Sequence, residues 1–99
     1  MENKAYRLLG LAKRAGKVIS GTDGVINSVR YGKANVVILA TDAPDNTKKQ
    51  ITDKCISFNV PLINTALRDE LSHSIGVENA AAVAVSDKNF AKAILDSCK

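Results

Sequence analysis

Ninety-nine residues, 45% of them hydrophobic, suffice for one compact domain and leave too little chain for a second. No apolar run reaches the length of a membrane span, and Met1-Glu2-Asn3-Lys4 leads into an amphipathic pattern where a signal peptide needs an apolar core, so a cytoplasmic protein without membrane contact is expected. The net charge of +4 is unevenly placed: residues 1–33 hold seven cations (Lys4, Arg7, Lys13, Arg14, Lys17, Arg30, Lys33) against Glu2 and Asp23, while the remaining 66 hold seven cations against eight acids.

Basicity gathered at one end of a chain suits a defined face meeting a polyanion; the plain alternative is a solvated helix face that happens to be basic. Ala5, Leu8, Leu9 and Ala12 recur at i, i+3, i+4 and i+7, which predicts an amphipathic helix over residues 3–15. Gly16 suits the left-handed position beyond its end, and Lys13 and Arg14 complement the negative end of its dipole. That dipole role leaves Arg7 and Lys17 unexplained. Val18-Ile19-Ser20 reads as a short β-branched strand, followed by a turn at Gly21 and a second helix capped by Thr22 or Asp23, with Val25, Ile26 and Val29 inward and Gly32 at its end. The near-continuous apolar run Asn35–Ala40 predicts a central strand covered on both faces.

Residues 41–46 form a turn and helix start, and the helix from about 46 to 58 turns Ile51, Cys55 and Phe58 inward. Pro61-Leu62-Ile63 predicts a short strand, its proline marking an edge or a strand start, and Asn64-Thr65 a cap for a helix running to about Ser74, with Gly76 as its left-handed end. His73 rides on this helix as a surface residue. Residues 75–79 form a loop carrying Ile75 and Val77, Ala80–Val85 a strand of small and branched residues, and Ser86 or Asp87 the cap of a last helix with Phe90, Ala91, Ile94 and Leu95 on one face. Five helices alternate with four strands, an α/β sandwich. Cys55 and Cys98 show no metal-ligand or CxxC spacing, so reduced thiols and no metal or other cofactor are expected.

The runs Gly21-Thr22-Asp23-Gly24-Val25-Ile26-Asn27, Ala43–Lys49 and Pro61-Leu62-Ile63, and above all Asp69 through Val85, resemble the L7Ae family of ribosomal and kink-turn RNA-binding proteins over nearly the whole chain, its small bacterial members most closely. The resemblance implies a three-layer α-β-α sandwich with a four-stranded mixed sheet. It also implies RNA binding by the start of the second helix together with the loop before the last strand. In the family motif an Asn-Glu pair follows the Gly and a variable residue, and a Lys stands three residues after the Glu; here Gly21 and Thr22 match, while Asp23, Gly24 and Asn27 replace Asn, Glu and Lys.

The expected function is docking of a structured, ribosomal, kink-turn-like RNA without catalysis and without a small-molecule substrate. Lys13, Arg14 and Lys17 would neutralise phosphates, Gly21, Thr22, Asp23, Gly24 and Asn27 would meet backbone and guanine edges, and the loop Ile75, Gly76, Val77, Glu78 and Asn79 would close over an unstacked base. Ile75 is equally well read as core filling, whereas Val77 is expected to make contact. The alternative is a protein-interaction module on the same fold. A phosphate-loop enzyme is least favoured, because neither GxxxxGK[ST] nor GxGxxG spacing is present.

Overall fold

A computed structural model describes residues 1–98. Its elements run α1 (Asn3–Arg14), β1 (Val18–Ser20), α2 (Thr22–Arg30), β2 (Val36–Ala40), α3 (Asp45–Phe58), β3 (Leu62–Ala66), α4 (Arg68–Ile75), β4 (Ala82–Val85) and α5 (Lys88–Ser97). The four strands form one sheet in the order β1-β4-β2-β3. β4 runs antiparallel to both neighbours and β2 parallel to β3, so the sheet is mixed. The parallel pair needs a crossover, and α3 supplies it.

Helices α2 and α3 pack together over one face; α1 packs on α4 and α5 over the other, giving three layers. β2 and β4 are therefore buried along their whole length, as the apolar runs Val-Val-Ile-Leu-Ala and Ala-Val-Ala-Val require. The largest fully buried side chains are Leu9, Ile38, Ile51, Leu71 and Ile94, one from each of α1, β2, α3, α4 and α5. The thiol of Cys55 lies in this core, where burial pushes it up to about 11 and keeps it an inert thiol at neutral pH.

The sheet has two distinct ends. At the upper end Gly21 N–H donates to the Ala82 carbonyl (3.3 Å), Ala40 N–H to Ala81 (2.9 Å) and Thr41 N–H to Ala66 (2.8 Å). At the lower end Ser86 N–H donates to the Lys17 carbonyl (2.9 Å) and Asn35 N–H to Val85 (2.8 Å).

Three expectations about the elements change. β3 continues through Asn64 and Thr65, which point out from an edge strand instead of capping a helix. Helix α4 begins at Arg68, and its first turn is held from across the fold: Arg68 N–H donates to Asp42 Oδ1 (2.8 Å) and the Arg68 guanidinium to the Asp42 carbonyl (2.6 Å). Phe58 is 46% exposed, because it lies past the last inward position of α3, where Asn59 already turns left-handed. The last strand starts at Ala82; Ala80 is buried but bonded into the preceding loop. Asp87, not Ser86, caps α5 by accepting from Phe90 N–H (2.9 Å).

Candidate functional site

The entrance to α2 is set by Gly21, which stands at the N-cap with φ 92° and ψ 147°, a conformation that strains any residue with a Cβ. Neither Thr22 nor Asp23 caps the helix as expected: both are already in its first turn, and no side chain accepts from its leading amides. Val25 N–H is bonded to the Gly21 carbonyl (2.9 Å). The amides of Thr22, Asp23 and Gly24 thus precede the helical ladder and have no acceptor within it. The exposed Asp23 carboxylate sits beside them, favoured by the dipole, and the exposed Asn27 follows one turn later on the same face. Gly24 packs closely on β1: a Cβ there would come within 3.1 Å of Ile19 Cγ2.

The loop between α4 and β4 is stapled by one hydroxyl. Ser72 Oγ donates to the Arg68 carbonyl (2.7 Å) and accepts from Ala80 N–H (2.8 Å), while Val77 N–H donates to the Ser72 carbonyl (3.2 Å). Between those ties the chain turns twice through the left-handed region, at Gly76 (φ 70°) and Asn79 (φ 54°). Glu78 and Asn79 are exposed and Val77 is half-buried against the core. Ile75 resolves to core: at 4% exposure its side chain fills the space beneath α4 and offers no surface to a ligand. The loop leaves toward Ala82, which is bonded to Gly21, so the loop exit and the α2 entrance share the upper end of the sheet.

Lys13 and Arg14 line a groove against the start of this loop. Helix α1 lies so close to α4 that a Cβ on Gly10 would stand 3.0 Å from the Ser74 carbonyl oxygen. The resulting groove is lined by Arg7, Lys13 and Arg14 on α1 and by His73 through Gly76 on the facing segment. Tyr6 anchors the contact: its hydroxyl accepts from Leu67 N–H (3.1 Å) and donates to Glu70 Oε1 (3.2 Å), and burial, with Glu70 adding, pushes the phenol up. Lys17 adjoins Lys13 and Arg14: its N–H donates to the Ala12 carbonyl (2.9 Å) and Gly16 N–H to that of Lys13 (3.0 Å), while its own carbonyl is tied to Ser86 at the lower end, about 13 Å of extended chain from Gly21. The three cations therefore gather at the foot of β1, with Lys13 and Arg14 facing the start of the loop across the groove.

Sequence reasoning overlooked Gly10, Ser72 and the Asp42–Arg68 pair. A glycine inside an otherwise regular amphipathic helix was the available signal for the first; the other two depend on partners distant in the fold. Among the described residues, no three of His, Cys, Asp or Glu gather in the way a metal site requires. None of the helices among those residues is long and apolar enough to cross a membrane.

The model of the ribosomal protein L7Ae/L30e/S12e/Gadd45 family matches residues 3–95. Over 90 residues the chain is 46% identical to the RNA-binding protein YlxQ of Bacillus subtilis, covering 91% of this chain and 90% of that one. It is 30% identical over 88 residues to the large ribosomal subunit protein eL8 of Thermoplasma volcanium, covering 88% and 73% of the two chains. The structure of a Bacillus halodurans C protein with unknown function superposes with a TM-score of 0.92 at 34% identity, covering 97% of each chain. A Giardia lamblia 15.5kD RNA binding protein superposes with a TM-score of 0.80 at 17% identity, covering 95% of this chain and 81% of that one, a likeness of fold alone.

Proposed function

Given that the chain belongs to the ribosomal protein L7Ae/L30e/S12e/Gadd45 family, we propose that it is a non-catalytic cytoplasmic RNA-binding protein, working as a single domain that docks a structured ribosomal RNA of kink-turn type. The observation that carries this reading is the uncapped entrance of α2 standing beside the exit of the 76–79 loop, with Lys13 and Arg14 flanking the start of that loop.

The chemistry of the entrance divides the work. Open amides at Thr22, Asp23 and Gly24 donate to phosphate or to the O6 and N7 acceptors of a guanine. An ionised Asp23 only accepts, so it repels phosphate and suits the N–H donors on a guanine edge, which takes over part of the task of the family's Glu at the position of Gly24. Phosphate neutralisation then falls to Lys13 and Arg14, and the half-buried Val77 supplies an apolar surface for the face of an unstacked base. Asn27 keeps a hydrogen bond where the family's Lys adds a charge.

Titration of a kink-turn RNA and of a straight duplex of equal length, each at two salt concentrations fourfold apart, tests this directly. The kink-turn is expected to bind more tightly, and two neutralised phosphates lower its affinity about tenfold across that salt interval. Equal affinity for the two RNAs, or indifference to salt, overturns the reading.

A further inference from the structure

Lys17 raises a question that the upper end does not answer. It was expected among the cations of the α2 entrance, and the fold carries it to the opposite end of the sheet. Other exposed residues meet it there. Helix α2 ends at Tyr31, which is 70% exposed, the most exposed aromatic ring reported for the chain, with Arg30 and Lys33 on either side, both exposed. The chain returns at once through Asn35, whose N–H is bonded to the Val85 carbonyl, while Val85 is paired with Val18 next to Lys17. Two strand spacings, about 10 Å, therefore separate Lys17 from Asn35. Lys88, exposed in the first turn of α5, lines the same groove as Asn35. Two acids stand nearby: Asp87, whose carboxylate accepts from Phe90 N–H, and Asp96, which lines the same groove as Lys88.

Local structure accounts for only part of this arrangement. Arg30 and Lys33 complement the negative end of the α2 dipole, but Lys88 stands at the positive end of α5, where the dipole opposes a cation. Nor does packing call for a tyrosine ring held in water. An exposed ring flanked by cations matches the chemistry of single-stranded nucleic acid: a base stacks on the ring and the flanking phosphates meet the cations. Duplex offers no free base face, and an apolar protein partner makes no use of the cations.

We infer that Tyr31, with Arg30, Lys33, Lys17 and Lys88, forms a second RNA-binding surface, which takes an unpaired segment at the end of the sheet opposite the structured-RNA site. This goes beyond the function proposed above, and its test separates the two. The whole chain is titrated with an oligouridylate of about twelve nucleotides, with a kink-turn hairpin, and with that hairpin carrying a single-stranded tail. Wild type, Tyr31→Phe, Tyr31→Ala, Lys33→Glu and the α2-entrance variant Asn27→Glu are compared. Tyr31→Ala is expected to weaken oligouridylate binding about tenfold. Tyr31→Phe should restore it, and Lys33→Glu should flatten the salt slope by roughly one phosphate. The tailless hairpin should respond to none of these three. Oligouridylate binding indifferent to Tyr31→Ala and Lys33→Glu, or abolished by Asn27→Glu instead, overturns the inference. A hairpin that fails to bind while oligouridylate binding still depends on Tyr31 counts against the upper site alone and supports the lower one.

Discussion

The two ends of the sheet present their polar groups differently. At the upper end the polar side chains largely hold the protein to itself: Ser72 staples the 76–79 loop, Asp42 holds the first turn of α4, and Tyr6 ties α1 to Leu67 and Glu70. What remains for a ligand is mostly backbone, the uncapped amides of α2 and a loop fixed at two left-handed residues. At the lower end the backbone is closed by strand pairing, and the exposed groups are long cationic chains and one ring. A preorganised surface loses little freedom on binding and discriminates by shape; a surface of mobile side chains loses more and tolerates many sequences. Preformed backbone donors therefore mark one end of this small fold, and flexible cations around a ring mark the other.

That contrast can be broken from the rigid side first. Gly10→Val places a branched side chain against the Ser74 carbonyl, which is backbone and cannot swing aside. The helix propensity gained on leaving glycine is at most about 1 kcal/mol and overpacking costs about 1–3 kcal/mol, so a net loss of up to about 2 kcal/mol is expected by urea unfolding. The separation of α1 from α4 should also displace Lys13 and Arg14 and weaken hairpin binding. Unchanged stability would show that the close approach does not hold the groove.

Ser72→Ala is the next largest. It leaves the Ala80 amide, in a buried residue, without its acceptor, which costs about 1–2 kcal/mol and frees the loop. Faster amide exchange over residues 76–80, with oligouridylate binding unchanged, is the expected signature. Uniform exchange across the molecule would mean that the hydroxyl supports the whole fold and not the loop. Charge reversal then sharpens the comparison. Lys13→Glu, on the groove that faces Gly76, should weaken kink-turn binding about tenfold, roughly 1.4 kcal/mol, and Lys33→Glu, beyond the far end of α2, less than about twofold. Equal effects of the two would mean that both ends act as one surface.

The elements that the sequence revealed best were those whose burial repeats within the element itself. Val36–Ala40 reads as a central strand because both its faces are covered, and α1 reads as a helix because Ala5, Leu9 and Ala12 recur on one stripe. The misreadings share a different cause. Asn64 and Thr65 have the chemistry of helix caps, but on an edge strand they are simply its outward residues, and the true support for α4 comes from Asp42, 26 positions away. Thr22 and Asp23 have that chemistry too, yet the left-handed Gly21 starts the helix one residue earlier and leaves both inside it. Lys17 looked close to the α2 entrance because it precedes Gly21 by only four positions, but an extended chain converts four positions into distance, where a helix would have brought them together. Of the residues expected at the site, Gly21 through Asn27 and Gly76 through Asn79 share the upper end, while Lys13, Arg14 and Lys17 gather at the foot of β1, the first two facing Gly76 across a groove. Ile75 is taken by the core.

Strand β4 joins the two ends, and its brevity has a consequence. Four buried residues, about 14 Å of extended chain, form an incompressible spacer whose length no side-chain motion alters. A polynucleotide with stacked bases advances about 3.4 Å per nucleotide, so at least four must bridge a folded junction to reach the opposite rim. An RNA that occupied both proposed surfaces would therefore need an unpaired flank of at least that length, and a shorter flank would reach only one of them.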